Sequence, residues 1–208
     1  LSGMEIRRPL RSRSGFYVST GGAVLTTAEA VQGCGRVTLD RQADAQVTFV
    51  DDALGMALLT PKTALAPRRI AGFDMATPRI GTEVAVSGYS YEDALPSPTL
   101  TFGALEDTKG LAGEPQLNRL SLAALAGDAG GPVINGSGAV LGMLMTRADT
   151  GDRVLPAEVS FIAAASAISA RLTEAGLAPQ PATRNGALPP QDLTDLAGAM
   201  TVLVSCWE

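Results

Sequence analysis

The stretch from Leu120 to Thr146, LSLAALAGDAGGPVINGSGAVLGMLMT, constrains the fold more than any other part of the chain. Its centre is a six-residue loop, Gly127-Asp128-Ala129-Gly130-Gly131-Pro132, led into by Asn118–Leu122 and followed by the apolar run Ala139–Met145. Glycine supplies backbone conformations that other residues avoid, and proline cannot continue a central strand, so the loop reads as a tight turn between strands. A second strong signal lies near the start. Ser14–Val18 and Ala23–Thr26 flank the turn Thr20-Gly21-Gly22, the pattern of a β-hairpin. Further short strands are predicted at Arg36–Leu39, Gln46–Val50, Arg79–Tyr89 and Thr99–Leu105.

Several classes of function are disfavoured by what the chain lacks. It holds no histidine and two cysteines, so no zinc-ligand set can be assembled, and no metal or cofactor is expected. The glycine pairs come without a phosphate-loop lysine. Lys62 and Lys109, the lysines available for a Ser–Lys dyad, fall in loop-like segments. A net charge of −5 argues against nucleic acid as a partner. No apolar run reaches the roughly 18 residues of a membrane span, and the start at Leu1-Ser2-Gly3, without a signal peptide, reads as a piece of a longer protein. Cys34 and Cys206 allow a single pairing; bonded, they would imply an oxidising compartment, and the alternative is two separate buried thiols.

The loop Gly127–Pro132 resembles the G-D-S-G-G-P nucleophile loop of trypsin-like serine proteases, with Ala129 in the place of the serine. Ser14-Gly15-Phe16-Tyr17-Val18 and the strand to Thr26 are similar to the first hairpin of the HtrA-like bacterial branch. Thr26-Thr27-Ala28-Glu29-Ala30-Val31 puts Glu29 where that family has its general-base histidine. Asp51–Leu59 resembles the segment that carries the orienting aspartate, and Gly55 stands at that position. An alanine methyl cannot attack a carbonyl, a carboxylate near pKa ~4.3 is a poor acceptor for a serine proton, and glycine cannot orient an imidazole. With all three positions changed, the chain is expected not to be an enzyme but a pseudoprotease.

The resemblance, which covers about residues 14–175, implies an all-β fold of two antiparallel six-stranded β-barrels with a C-terminal helix and tail. Together with the residues outside it, this divides the chain into a basic arm over 1–13 carrying Arg7, Arg8, Arg11 and Arg13, a first lobe over 14–78, a second over 79–163, a helix over 164–177, and a linker and strand-like tail over 178–208 that returns to the first lobe. It implies an oxyanion-type nest at the backbone N–H groups of Gly127 and Ala129. It also implies a strand edge at Leu141, Gly142 and Met143 on which a peptide could pair. The expected function is a catalytically inactive, extracytoplasmic (periplasmic) domain that binds a peptide or protein partner. The alternatives are an unusual hydrolase using Glu29 or Asp128, and a structural domain of a larger protein that associates with peptidoglycan through a region outside this chain.

Overall fold

The computed structural model describes residues 6–147 and 154–208. In chain order the elements are β1 (Arg11–Tyr17), β2 (Val24–Thr27), α1 (Ala28–Val31), β3 (Arg36–Leu39), β4 (Ala43–Asp51), β5 (Met56–Pro61), β6 (Gly72–Phe73), β7 (Glu83–Gly88), β8 (Thr99–Asp107), β9 (Leu117–Ser121), β10 (Pro132–Ile134), β11 (Val140–Leu144), β12 (Val159–Ala164), α2 (Ala165–Glu174), β13 (Gln180–Pro181), α3 (Pro190–Met200) and β14 (Thr201–Trp207). Glu92–Ala94 and Ala126–Asp128 form single 3₁₀ turns.

The expected fold is present. The first barrel closes in the order β1-β14-β3-β4-β5-β2; the second runs β10-β7-β8-β9-β12-β11 and closes through β10–β11 pairing. Beside it, β6 pairs in parallel with both β11 and β13. Closure removes the open sheet edges that would otherwise expose unpaired N–H and C=O groups. Each barrel has its own apolar filling: Val24, Leu39, Leu59, Val202 and Val204 in the first, and Val84, Leu105, Leu120, Val133 and Ile162 in the second. A third cluster joins the two, with Phe16, Leu25 and Met56 packed with Phe73, Ile134, Met143, Ile168 and Leu172. Strand β1 is buried along much of both faces because one face fills its own barrel and the other meets the second.

The C-terminal strand completes the first barrel. β14 lies between β1 and β3, with Arg11 opposite Cys206 and Val37 opposite Cys206 on the other side. The Cys34–Cys206 disulfide fastens it, and the Trp207 indole N–H donates to Thr38 Oγ1 at 2.9 Å. Pairing with β14 is also why the basic stretch expected as an arm is already strand from Arg11 onward. Among the described residues no helix is long and apolar enough to cross a membrane.

The disulfide spans 172 residues. On the chain-entropy account a bridge of that length contributes about 5 kcal/mol at most. Replacing Cys34 and Cys206 together by serine is expected to lower the urea midpoint markedly while leaving the folded far-ultraviolet circular dichroism unchanged. Equal midpoints would show that β14 is held by its ladder and packing alone.

Candidate functional site

Ser14 on β1 anchors the loop Gly127–Pro132 to the first barrel. Its backbone N–H donates to Ala129 O at 3.0 Å, and its buried hydroxyl donates to Gly127 O at 2.8 Å and accepts from the Tyr89 N–H at 2.8 Å. The Ser14 carbonyl in turn accepts from Thr26 Oγ1 at 2.7 Å. This close approach explains a glycine in the loop. Gly130 has φ +89°, and a Cβ there would collide with the Ser14 carbonyl oxygen.

Asp128 is fully buried and shapes the same loop from within. Its carboxylate accepts from Ser90 Oγ at 2.6 Å and from the Leu125 N–H at 2.9 Å. Burial pushes its carboxyl above the ordinary value of 3.8, opposed by those two hydrogen bonds.

Of the three positions of the expected triad, Ala129 lines a cavity, while Glu29 and Gly55 each neighbour a residue that lines it, Arg13 and Met145. Glu29 lies on α1, whose first turn is capped by Thr27 Oγ1 accepting from the Ala30 N–H at 3.3 Å. Its carboxylate is gripped by Arg13 through two bonds, Nε–Oε2 at 3.0 Å and Nη2–Oε1 at 2.9 Å. Gly55, at φ +64°, accepts from the Ala28 N–H at 2.9 Å, and a Cβ there would lie 2.6 Å from the Met145 terminal methyl. Ala129 closes the group: Arg13, Met145 and Ala129 line one cavity of about 280 Å³. The rest of its wall comes from Ala124–Ala126, Leu144, Thr146, Arg147 and the facing segment that includes Phe161.

Two expected features are arranged differently. The Ala129 N–H donates to Ala126 O at 3.3 Å, inside the 3₁₀ turn, so it does not point as a free donor into a nest with Gly127. Leu141, Gly142 and Met143 are buried in β11, where Gly142 and Met143 pair with β10 on one side and β12 on the other. Barrel closure occupies both edges of that strand, so it cannot accept a peptide as an added strand. The accessible continuation is Met145–Arg147, which lines the cavity.

Other residues of the cleft carry weight that sequence reading did not assign. Arg13 extends from β1 to bind Glu29 of its own barrel and, through Nη1 at 2.6 Å, Glu92 of the second. The alternation of Arg11 and Arg13 in a β-rich run was the available signal, since period two places both on one side. Asp51, at the end of β4, pairs with Arg171 of α2 at 3.1 Å, and that guanidinium stacks over Phe49 at 3.8 Å. Among the described residues no group of three or more potential metal-binding side chains occurs.

Residues 13–143 match the family described as the trypsin-like peptidase domain. The crystal structure of Rv3671c from Mycobacterium tuberculosis H37Rv, a serine-to-alanine variant in an inactive form, is 26% identical, covers 81% of this chain and 84% of its own, and gives a TM-score of 0.63. The active form of the same protease is 25% identical, with coverages of 81% and 75% and a TM-score of 0.62. A serine endoprotease from Yersinia pestis, at 20% identity, a TM-score of 0.62 and coverages of 78% and 56%, is alike in fold. The Sinorhizobium fredii protein y4bJ is 27% identical over 93% of this chain, which spans 32% of that protein's length. The expectation that the chain is not an enzyme is corrected by these likenesses. The matched family is one of peptidases, and Rv3671c is a protease solved in an active form, so the residues at three positions do not by themselves dispose of activity.

Two outcomes follow from the loop's anchoring. Ser14→Ala leaves Gly127 O and Tyr89 N–H buried without their shared partner, and is expected to cost about 1–3 kcal/mol in chemical denaturation. Because the Asp128 pKa is raised on folding, its contribution to stability is full below 3.8 and lost as pH rises through the folded value. Asp128→Asn is therefore expected to flatten the fall in stability over that window, read from urea midpoints at stepped pH. An unchanged slope would assign the fall to Asp40, whose carboxyl is also raised by burial.

Proposed function

Since the chain belongs to the trypsin-like peptidase family, we propose that it engages an extended polypeptide in the cleft between its two barrels, as an extracytoplasmic domain of a bacterial envelope protein. The observation that carries this reading is the cavity beside Ala129. It lies against the loop on which the family performs its chemistry, and the segment Met145–Arg147, whose Met145 N–H donates to Phe161 O at 2.9 Å, runs along it. A volume of about 280 Å³ suits one side chain of a longer ligand, being below the range of about 300–1,000 Å³ that encloses a whole small molecule. The disulfide supports an oxidising compartment, and hence the periplasm or exterior. Peptidoglycan association through a region outside this chain stays compatible with that setting.

A second reading is hydrolysis, favoured by the pairing of Ser90 with Asp128. A half-buried hydroxyl donates at 2.6 Å to a carboxylate whose proton affinity is raised by burial. That is a better-matched base than an ordinary exposed carboxylate, and it borders the loop of Ala129. Glu29 is less suited, because both its oxygens are held by Arg13. Any turnover by this chain has to run without an imidazole, since the sequence contains no histidine.

One titration separates the readings. Fluorescently labelled unfolded casein is followed by anisotropy over hours, with gels of the same samples. Binding predicts a saturable rise that holds steady and is weakened about tenfold or more by Ala126→Trp, an exposed position whose indole would fill the cavity. Hydrolysis predicts a falling signal with new fragments, abolished by Ser90→Ala. No rise and no fragments at any concentration would overturn both.

A further inference from the structure

We propose that the cavity beside Ala129 captures the C-terminal carboxylate of a peptide whose last residue is apolar. The inference rests on the peptide-binding reading above and specifies its ligand. Two guanidinium groups, Arg13 and Arg147, line the cavity, and none of its lining side chains is a carboxylate. Most of the remaining wall is apolar, including Leu125, Leu144, Met145 and Phe161. Among the described residues, a largely apolar lining with two cations and no anion favours a negatively charged guest over a neutral or basic one.

The two arginines are already fixed in place, which lowers the cost of ordering them around a ligand. Arg147 donates to the carbonyls of Leu155 at 2.6 Å and Pro156 at 2.9 Å, and it has no carboxylate partner among the described residues. Carbonyl oxygens orient the guanidinium, and among the described residues none of its partners carries a compensating charge. Arg13 is held by the two bonds to Glu29 and by one from Nη1 to the Ser12 carbonyl at 2.9 Å. Its remaining contact, Nη1 to Glu92 at 2.6 Å, is to a carboxylate that is 44% exposed and sits on a residue at φ +56°. Glu92 is held by one bond where Glu29 is held by two, so it is the more replaceable of the two anions on Arg13, and an incoming carboxylate can take over its charge-assisted bond.

Two further features favour a terminal carboxylate over an acidic side chain. In a terminal residue the carboxylate and the side chain leave the same Cα, so one residue can present charge to Arg13 and apolar surface to the wall together. An internal aspartate or glutamate spends its side chain on the charge and leaves the apolar wall unfilled. The Ala129 N–H is bonded to Ala126 O, so the anion has to be met by guanidinium groups rather than by a backbone nest. Thr146 also lines the cavity, and its hydroxyl is buried with no hydrogen-bond partner among the described residues.

The test uses N-terminally labelled hexapeptides with randomised interiors and a leucine at the end, as free acids and as C-terminal amides, titrated by anisotropy against the whole chain. A third set consists of amides with a glutamate in the interior. The free acids are expected to bind about tenfold more tightly than the amides, with the advantage shrinking at high salt. Arg147→Gln should reduce that advantage, and Arg13→Gln should abolish it. Because Arg13→Gln could also loosen the cleft, Glu92→Gln provides the opposing arm: removing the competing anion should strengthen acid binding while leaving amide binding unchanged, a gain that damage to the fold would not produce. Equal binding of acids and amides, with Glu92→Gln neutral, would overturn the carboxylate proposal and leave the peptide-binding reading standing. Preference for the glutamate-containing amides would overturn the terminal assignment. Failure of all three sets, with casein also unbound, would remove the parent reading as well.

Discussion

Ser14 is the point on which the two barrels and the cleft depend. One residue of β1 uses its N–H, its carbonyl and its hydroxyl to hold Ala129, Thr26, Gly127 and Tyr89. Buried polar groups of this kind are expensive to leave unpaired, so the arrangement tolerates little drift between the barrels. The cavity beside Ala129 exists because β1 belongs to the first barrel while the loop it grips belongs to the second. Apolar packing supplies the bulk of the join through Phe16, Phe73 and Met143, but packing alone is not directional.

Charge adds a second set of ties across the same seam. Arg13 spans from Glu29 to Glu92, and Arg171 reaches from α2 to Asp51. These partly exposed pairs contribute modestly to stability, and their larger effect is on what the cleft can accept. Where the family resemblance leads one to expect a histidine facing a serine, this chain has a carboxylate clamped by a guanidinium facing an alanine methyl. A hydroxyl–carboxylate pair, Ser90 with Asp128 of the same loop, stands at 2.6 Å.

Much of this was legible without coordinates. The G-D-A-G-G-P loop, the Gly-Gly hairpin and the run Thr201–Trp207 are local patterns, and each forms the element its residues favour. The partners of Arg13 were not legible, because Glu92 is 79 residues away and nothing local to either says which lobe it faces. The pairing edge was misplaced for a related reason. Val140–Leu144 has the composition of a strand, but composition does not tell whether a strand's edges are open, and here closure through β10 leaves none. Ser14 escaped notice because a serine beside a glycine in a short strand looks like any polar position until burial shows it to be enclosed.

By itself the sequence determined the strand-rich pattern, the family, the identity of the residues at positions 29, 55 and 129, and the absence of any imidazole, since these follow from residue type and local spacing. Only the tertiary structure decided that the C-terminal strand closes the first barrel, that Glu29 is held by Arg13, and that among the described residues the cavity beside Ala129 is lined by two cations and no anion. Those outcomes rest on long-range pairing and on desolvation, which depend on what each side chain meets after the barrels close rather than on its neighbours along the chain.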